Sequence, residues 1–363
     1  MQETERLSAP ARRATMNDVA AHAGVSLKTV SRVVNGDAAV IEETRARVQR
    51  SIAELGFRRN DSARQLRTGR TAGIGLILED VSDPFYSTLT RAVEQVAAAH
   101  DCLLFTGSCD DDPDQEQKLA LALCARRVDG LLMIPAAADH AYLAPELAAG
   151  LPAVFIDRPP VNLAADMILT DNAGGAASGI NHLIDFGHRR IGYLGDTPEI
   201  HTAAQRLQGY RSAMAGNGLP VDERWISMGR LDEEQLRAEL LRLLTGPDRV
   251  TALFTGNNRM TVAVLRQLAR LPMAPAGVAQ PCAGPGADDS GLIVRPALVG
   301  FDDFELADLV VPGVTVVAQD PAGLGRMAAE LLFDRLAGLA DPPRRLILPT
   351  TVIPRGSGEI PPQ

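Results

Sequence analysis

Two hydrophobic rhythms divide the chain. Between Thr15 and Leu55 apolar residues recur at helical spacing in three short groups, Val19, Ala20, Ala23, then Val30, Val33, Val34, then Val48, Ile52, Leu55. Thr15-Met16-Asn17-Asp18 has the S/T-x-x-D form of a helix start, and Ser26 offers a second cap. Gly24, Asn35-Gly36 and Gly56 follow the groups as stops. The pattern predicts helices opening at Thr15, running from Ser26 to about Val34, and from about Glu42 to Leu55. Two short helices joined at Ala23-Gly24-Val25 and followed by a longer third describe a helix-turn-helix. Residues 1–14 are polar and unpatterned and are expected to form a flexible arm.

From about Thr71 the period changes. Short apolar runs, Gly73–Leu78, Cys102–Thr106, Asp129–Ile134, Ala153–Asp157, Arg190–Leu194, Thr251–Thr255 and Ala297–Phe301, alternate with amphipathic stretches such as Phe85–Ala99, Asp114–Arg127, Ala173–Phe186, Ala203–Ala215 and Arg259–Leu271. Strands without polar alternation, separated by helices, imply parallel sheets covered on both faces. The stretch is too long for one sheet and is expected to form two α/β lobes with a cleft between them. In open parallel sheets ligands sit at the carboxyl ends of strands, which draws attention to Asp157, Asn257 and Asp302. The Pro, Gly and Ala-rich segment between Leu271 and Pro296 breaks this rhythm and reads as a disordered insertion at 272–296.

Charge is as uneven as the pattern. The 363 residues carry a formal charge of −9, but residues 1–70 hold 13 Lys and Arg against 8 Asp and Glu, a local +5, leaving −14 on the remainder. A basic head on an acidic body suits polyanion binding with little non-specific adhesion. No apolar run approaches the ~18 residues of a membrane span, and the N-terminus lacks the order of a signal peptide, so a cytoplasmic protein with no membrane partner is expected. Cys102, Cys109, Cys124 and Cys282 show neither a C-x-x-C pair nor histidines at metal spacing. No cofactor and no metal are expected.

On the second helix the outward positions are Leu27, Lys28, Ser31 and Arg32. A helix of this kind lies in the DNA major groove. Lys28 and Arg32 can donate to guanine O6 and N7, and Leu27 can pack on a thymine methyl. Ser26, Thr29 and Ser31 are sized for phosphate.

The run MNDVAAHAGVSLKTVSRVVN at Met16–Asn35 closely resembles the N-terminal signature of the lactose/galactose repressor family of bacterial transcription factors. ETRARV at Glu43–Val48, ELGF at Glu54–Phe57, DPFY at Asp83–Tyr86, FIDRPP at Phe155–Pro160, GHRRIGYLG at Gly187–Gly195, RLQGY at Arg206–Tyr210 and LVGFDDFELAD at Leu298–Asp308 extend the resemblance over nearly the whole chain. It implies an all-α helix-turn-helix headpiece at 15–59, a hinge helix and linker at 60–71, and an effector-binding and dimerisation core at 72–355 like periplasmic sugar-binding proteins. The N-lobe would take about 72–169 and 319–347 and the C-lobe about 170–318 and 348–355, with a tail at 356–363. A homodimer on a palindromic double-stranded operator is implied, with a sugar as effector.

Carried over by position, the resemblance places Leu27, Lys28 and Arg32 among base-reading residues, with Asn35 in the same DNA-binding set. It puts Asn60, Ala63 and Leu66 in the hinge helix, Ala63 in the minor groove and Leu66 as a wedge at the central base step. Asp157, Arg206, Asn257 and Asp302 fall at effector contacts, and Phe85 and Tyr86 on the N-lobe rim. Carboxylates accept hydroxyl protons, an arginine donates a fork, and an aromatic ring covers an apolar sugar face. Arg158 could face either the cleft or a dimer interface. Three departures stand out. Ile41 sits where the family has a capping Ser, Arg59 where it has Pro, and Asn258 where it commonly has Asp. The sequence to Gln363 shows no leucine heptad, so the tetramer-forming tail of some relatives is expected to be absent.

The reading is therefore a DNA-binding regulator, a repressor of carbohydrate uptake or catabolism genes, and not an enzyme. An alternative is a co-repressor-dependent or dual regulator responding to a purine, nucleoside or phosphorylated metabolite. A dinucleotide enzyme is disfavoured because no G-x-G-x-x-G follows Gly73–Leu78, and a transport receptor by the headpiece.

Overall fold

The structure, a computed structural model, describes residues 14–58, 71–273 and 292–363. These fall into two compact units that divide between Thr71 and Ala72. The arm, the hinge residues Asn60, Ala63 and Leu66, and most of the 272–296 insertion lie outside the described residues.

The N-terminal unit consists of α1 (Met16–Ala23), α2 (Leu27–Val34) and α3 (Glu42–Glu54). A reciprocal box starts α1: the Thr15 hydroxyl accepts from the Asp18 amide at 3.3 Å while the Asp18 carboxylate accepts from the Thr15 amide at 2.7 Å. Gly24 ends the helix at φ 63°, a left-handed conformation in which a β-carbon would be strained, and so lets α2 leave at a sharp turn. Each helix contributes one fully buried valine to the centre, Val19, Val30 and Val48, ringed by Ala20, Ala23, Val33 and Val40. At the start of α3, Ile41 supplies no side-chain cap, a cost of ~1 kcal/mol, which Glu42 and Glu43 in the first turn offset in part through the helix dipole.

The second unit holds two six-stranded sheets. One runs β11-β5-β4-β3-β1-β2, all parallel, from β1 (Gly73–Leu78), β2 (Leu103–Ser108), β3 (Gly130–Met133), β4 (Ala153–Ile156), β5 (Asp166–Thr170) and β11 (Arg345–Leu348). The other runs β12-β10-β9-β8-β6-β7, from β6 (Ile191–Gly195), β7 (Ile226–Met228), β8 (Ala252–Thr255), β9 (Ala297–Phe301), β10 (Thr315–Ala318) and β12 (Thr351–Ile353), parallel except where β12 meets β10. The chain thus passes from lobe to lobe three times, between β5 and β6, β10 and β11, and β11 and β12. Crossings of this kind let two rigid lobes pivot about a few residues.

Helices cover both sheets, which is why the central strands are apolar along their whole length. In the first lobe these are α4 (Pro84–Ala99), α5 (Pro113–Ala125), the short α6 (Ala144–Ala148) and α11 (Pro321–Leu336), and in the second α7 (Asn172–Asp185), α8 (His201–Gly216), α9 (Glu233–Leu244) and α10 (Asn258–Leu268). Gly209 of α8 approaches α7 so closely that a β-carbon would lie 2.2 Å from the Ala173 carbonyl oxygen. A glycine in mid-helix is unfavourable and is kept here because the two helices could not otherwise meet.

Two expectations need correction. The Cys102–Thr106 run forms β2, but as an edge strand: Leu103 and Phe105 are 68% and 48% exposed, so it is not covered on both faces. At the described ends of the segment expected to be a disordered insertion, Met273 and Ile293 form an isolated bridge, closed by the Ile293 amide donating to the Pro272 carbonyl at 2.7 Å. The described flanks of the insertion are therefore joined to each other.

Candidate functional site

Two surfaces carry the chemistry, one in each unit. On α2, Leu27, Lys28, Ser31, Arg32 and Asn35 line the side away from buried Val30 and Val33. Leu27 is 47% exposed, so its side chain is open to contact. Ser26 caps the helix, accepting from the Thr29 amide at 3.1 Å, and its hydroxyl lies 2.9 Å from that of Thr29. Asn35 Nδ2 donates to Ser31 Oγ at 3.3 Å. Arg32 Nε donates to Asp37 Oδ2 at 2.8 Å.

In the second unit the carboxyl ends of the strands converge on a cleft. Glu79 follows β1, Asp157 follows β4, Asp196 follows β6, Gly256-Asn257 follow β8 and Asp302 follows β9, and all line it. The cleft encloses about 60 Å³, below the ~300 to 1,000 Å³ typical of small-ligand sites. Asp157 and Asp302 both adopt left-handed backbone, at φ 65° and 69°. That conformation turns the chain inward directly at the strand end and is tolerated by aspartate better than by most residues.

Arg206, on α8, is the hub of the C-lobe wall. It is 5% exposed, a buried arginine on the inner side of its helix. Its Nε donates to Asn172 Oδ1 at 2.7 Å, its Nη1 to the Gly256 carbonyl at 2.7 Å and to Asp302 Oδ2 at 3.2 Å, and its guanidinium lies 3.9 Å from the Phe301 ring centroid. Gln319 donates to the other Asp302 oxygen at 2.6 Å. Asp302 does not cap a following helix, since residues 303–314 contain none.

The N-lobe wall is built around Arg158, which faces the cleft. It donates to Asp111 Oδ1 at 2.6 Å, to the Pro135 carbonyl at 3.0 Å and to Glu79 Oε2 at 3.0 Å. The Tyr86 hydroxyl also donates to Glu79 Oε2, at 3.0 Å. Tyr86 is buried and packs edge-on against Phe85, which is the more exposed ring of the pair.

Asp157 differs from the other acids. It is 4% exposed, and its Oδ1 accepts no hydrogen bond among the described residues. Burial, opposed by Arg158 and Arg206, pushes its carboxyl above the usual carboxylate range. Gln319 Oε1 is likewise without a partner among the described residues. Two buried acceptors thus await donors, the arrangement a polyhydroxylated ligand would satisfy.

Asn257 serves first as the cap of α10, its Oδ1 accepting from the Met260 amide at 2.7 Å while Nδ2 lies 3.4 Å from Asp196. Beside it, Asn258 and Arg259 reach across the cleft. Asn258 donates to Asp83 at 3.0 Å, and Arg259 meets Glu79, Asp83 and Asp80 at 2.7, 3.0 and 3.2 Å. Arg230 adds a second tie to Asp111 at 2.5 Å.

These ties hold the lobes together, so Arg259→Ala is expected to favour the open form. The guanidinium is 45% exposed, and exposed pairs are worth ~0.2 to 1 kcal/mol each. The network of three, together ~0.6 to 3 kcal/mol, therefore predicts a roughly 3- to 150-fold rise in effector Kd and a weaker salt dependence of binding. Isothermal titration at two ionic strengths checks this, and an unchanged Kd contradicts the clasp.

Sequence reasoning missed Glu79 and Asp196, although both stand at strand ends and the rule that picked Asp157 and Asp302 would have found them if applied evenly. Asp83, Arg259 and Gln319 gave no such signal.

Comparison with known proteins gives the lineage. The family described as "Bacterial regulatory proteins, lacI family" matches residues 15–60, and "Periplasmic binding proteins and sugar binding domain of LacI family" matches residues 71–273. The chain is 32% identical to the ribose operon repressor of Haemophilus influenzae over 95% of this chain and 98% of that one. It matches the structure of the transcriptional regulator CelR in complex with cellobiose at 30% identity and TM-score 0.64, covering 95% of this chain and all of that one. The lac repressor dimer bound to operator shares the fold, with TM-score 0.78 over 96% of this chain and 99% of that one at 24% identity. The chain belongs to the lacI family of bacterial regulatory proteins.

Proposed function

We propose that the protein is a sequence-specific, dimeric repressor of carbohydrate genes, whose affinity for a palindromic operator is set by a neutral sugar bound between the lobes of its core. It acts in the cytoplasm, at the nucleoid. In this reading Leu27, Lys28 and Arg32 read bases, Ser26, Thr29, Ser31 and Asn35 contact the backbone, and Asn60, Ala63 and Leu66 form the hinge. Asp157, Arg206 and Asp302 hold the effector, with Phe85 covering an apolar sugar face and Tyr86 and Asn257 completing the wall. The ribose operon repressor and the CelR–cellobiose complex, both similar over nearly the full chain, support a sugar.

The observation that carries the choice of ligand is the charge of the cleft. Glu79, Asp83, Asp157, Asp196 and Asp302 line it together with Arg158, Arg206 and Arg259, and each of these arginines is paired with acids already there. A phosphate entering would meet five carboxylates, and each of these arginines already faces at least one of the acids. A neutral sugar instead supplies hydroxyl protons to Asp157 Oδ1 and Gln319 Oε1. A thermal-shift screen tests this, because a ligand of the folded state raises Tm. Neutral pentoses, hexoses or disaccharides are expected to give the shift. A shift produced only by sugar phosphates or purines refutes the proposal.

A further inference from the structure

Asp37 lies just beyond the recognition helix, at a position the sequence did not single out. Its place is fixed by the way α2 stops. Asn35 is the C-cap, Gly36 follows at φ 71°, the Gly36 amide donates to the Val33 carbonyl at 3.0 Å, and the Asp37 amide donates to the Arg32 carbonyl at 3.0 Å. This double bond pattern is the Schellman motif, which brings the residue two past the cap back over the residue three before it. An apolar contact commonly fills that pairing. Here it is an ion pair, with Arg32 Nε donating to Asp37 Oδ2 at 2.8 Å.

The acid is itself held on every side. Its Oδ1 accepts from the Ala39 amide at 2.9 Å, and its carbonyl accepts from the Arg45 guanidinium at 2.9 Å and from the Val40 amide at 3.3 Å. With Nε committed, the two terminal nitrogens of Arg32 have no partner among the described residues, and the side chain is 43% exposed. A long arginine otherwise samples many rotamers, and ordering them weakens binding. An acid facing a nucleic acid is also unfavourable in itself, so its presence on this surface calls for a function.

We infer that Asp37 is a positioning residue that orients Arg32, leaving the terminal fork of its guanidinium aimed at the O6/N7 edge of a guanine. The inference rests on the base-reading role of Arg32 proposed above. An acid of no consequence would, once removed, raise affinity for all DNA alike. A positioning acid instead governs discrimination at one base pair.

The test uses the full-length protein, its operator, a set of operators each altered at one base pair, and non-specific duplex. Asp37→Ser keeps an acceptor for the Ala39 amide but is too short to reach Arg32. Asp37→Asn keeps the shape and removes the charge. In both, non-specific affinity is expected to hold or rise while the operator-to-non-specific ratio falls about 5- to 30-fold, part of the worth of a bidentate base contact. The loss should be confined to the base pair at which Arg32→Ala loses discrimination, and Asp37→Ser in an Arg32→Ala background should change discrimination no further. If Arg32→Ala loses discrimination and both Asp37 variants keep it, the inference is wrong and the base-reading role stands. If Arg32→Ala itself discriminates normally, that role falls and the inference with it. Equal loss of specific and non-specific affinity in both Asp37 variants assigns the residue to the fold of the turn and likewise overturns the inference.

Discussion

Arg32→Ala is expected to weaken operator binding about 5- to 150-fold, the ~1 to 3 kcal/mol of a bidentate guanine contact, while non-specific binding changes little. The reason lies in the geometry of α2. Arg32 stands one turn beyond Lys28 on the outward side of the helix, and its partner Asp37 leaves the end of the guanidinium accessible. Lost as a phosphate contact, one arginine would lower affinity for every sequence and reduce the salt slope by about one. Lost as a base contact, it relaxes preference at a single base pair. Fluorescence anisotropy with operator and scrambled duplex at several salt concentrations separates the two, and a uniform loss over both duplexes refutes the assignment.

Asp157→Asn is expected to do two opposite things. Effector affinity should fall by about 10- to 150-fold, because a charged acceptor for a ligand hydroxyl is worth ~1.5 to 3 kcal/mol. The ligand-free protein, however, should melt at a higher temperature. Burial holds the Asp157 carboxyl above its ordinary value. A carboxyl whose folded-state pKa is raised destabilises the fold at neutral pH, and the penalty fades as pH falls from that raised value to the ordinary one. A neutral amide removes the penalty. Arg158 keeps Glu79 and Asp111, and Arg206 keeps Asp302, so neither arginine is left alone. The left-handed backbone at φ 65° suits asparagine. Paired melting curves and ligand titrations of the two proteins check this. Unchanged effector affinity in the variant removes Asp157 from the site.

Much of this was legible in the sequence because the physics involved is local. Helix boundaries in the N-terminal unit followed from Thr15, Ser26, Gly24 and Gly36, residues whose capping and turning chemistry acts over three or four positions. Six of the seven apolar strand runs stood out because central parallel strands are buried on both faces. Strands β5, β7, β10, β11 and β12 were not singled out: β7 and β12 are three residues long, β11 is exposed, and β5 opens on the polar Asp166, whose carboxylate binds Arg335 at 2.7 Å. Exposure of β2 was equally hidden, since no periodicity distinguishes an apolar edge strand from a central one.

The site divides in the same way. Asp157 and Asp302 could be found from strand ends, and Arg206 only through resemblance, since the burial of a single helix residue depends on what the fold packs against it. The clasp of Arg259 with Glu79, Asp80 and Asp83 joins residues some 180 positions apart, and nothing local marks it. Asp37 was within reach, because Asn35-Gly36 announces the Schellman turn that puts it over Arg32.

The central claim is that a neutral sugar in the cleft of the core controls the grip of the headpiece on DNA. Operator affinity of the full-length protein, measured with and without the sugar that gives the largest thermal shift, tests it most directly. The account predicts a 5- to 150-fold change in operator Kd, equivalent to ~1 to 3 kcal/mol of coupling, and its disappearance in Asp157→Asn at the same sugar concentration. An operator Kd that stays constant as that sugar saturates the cleft would contradict it.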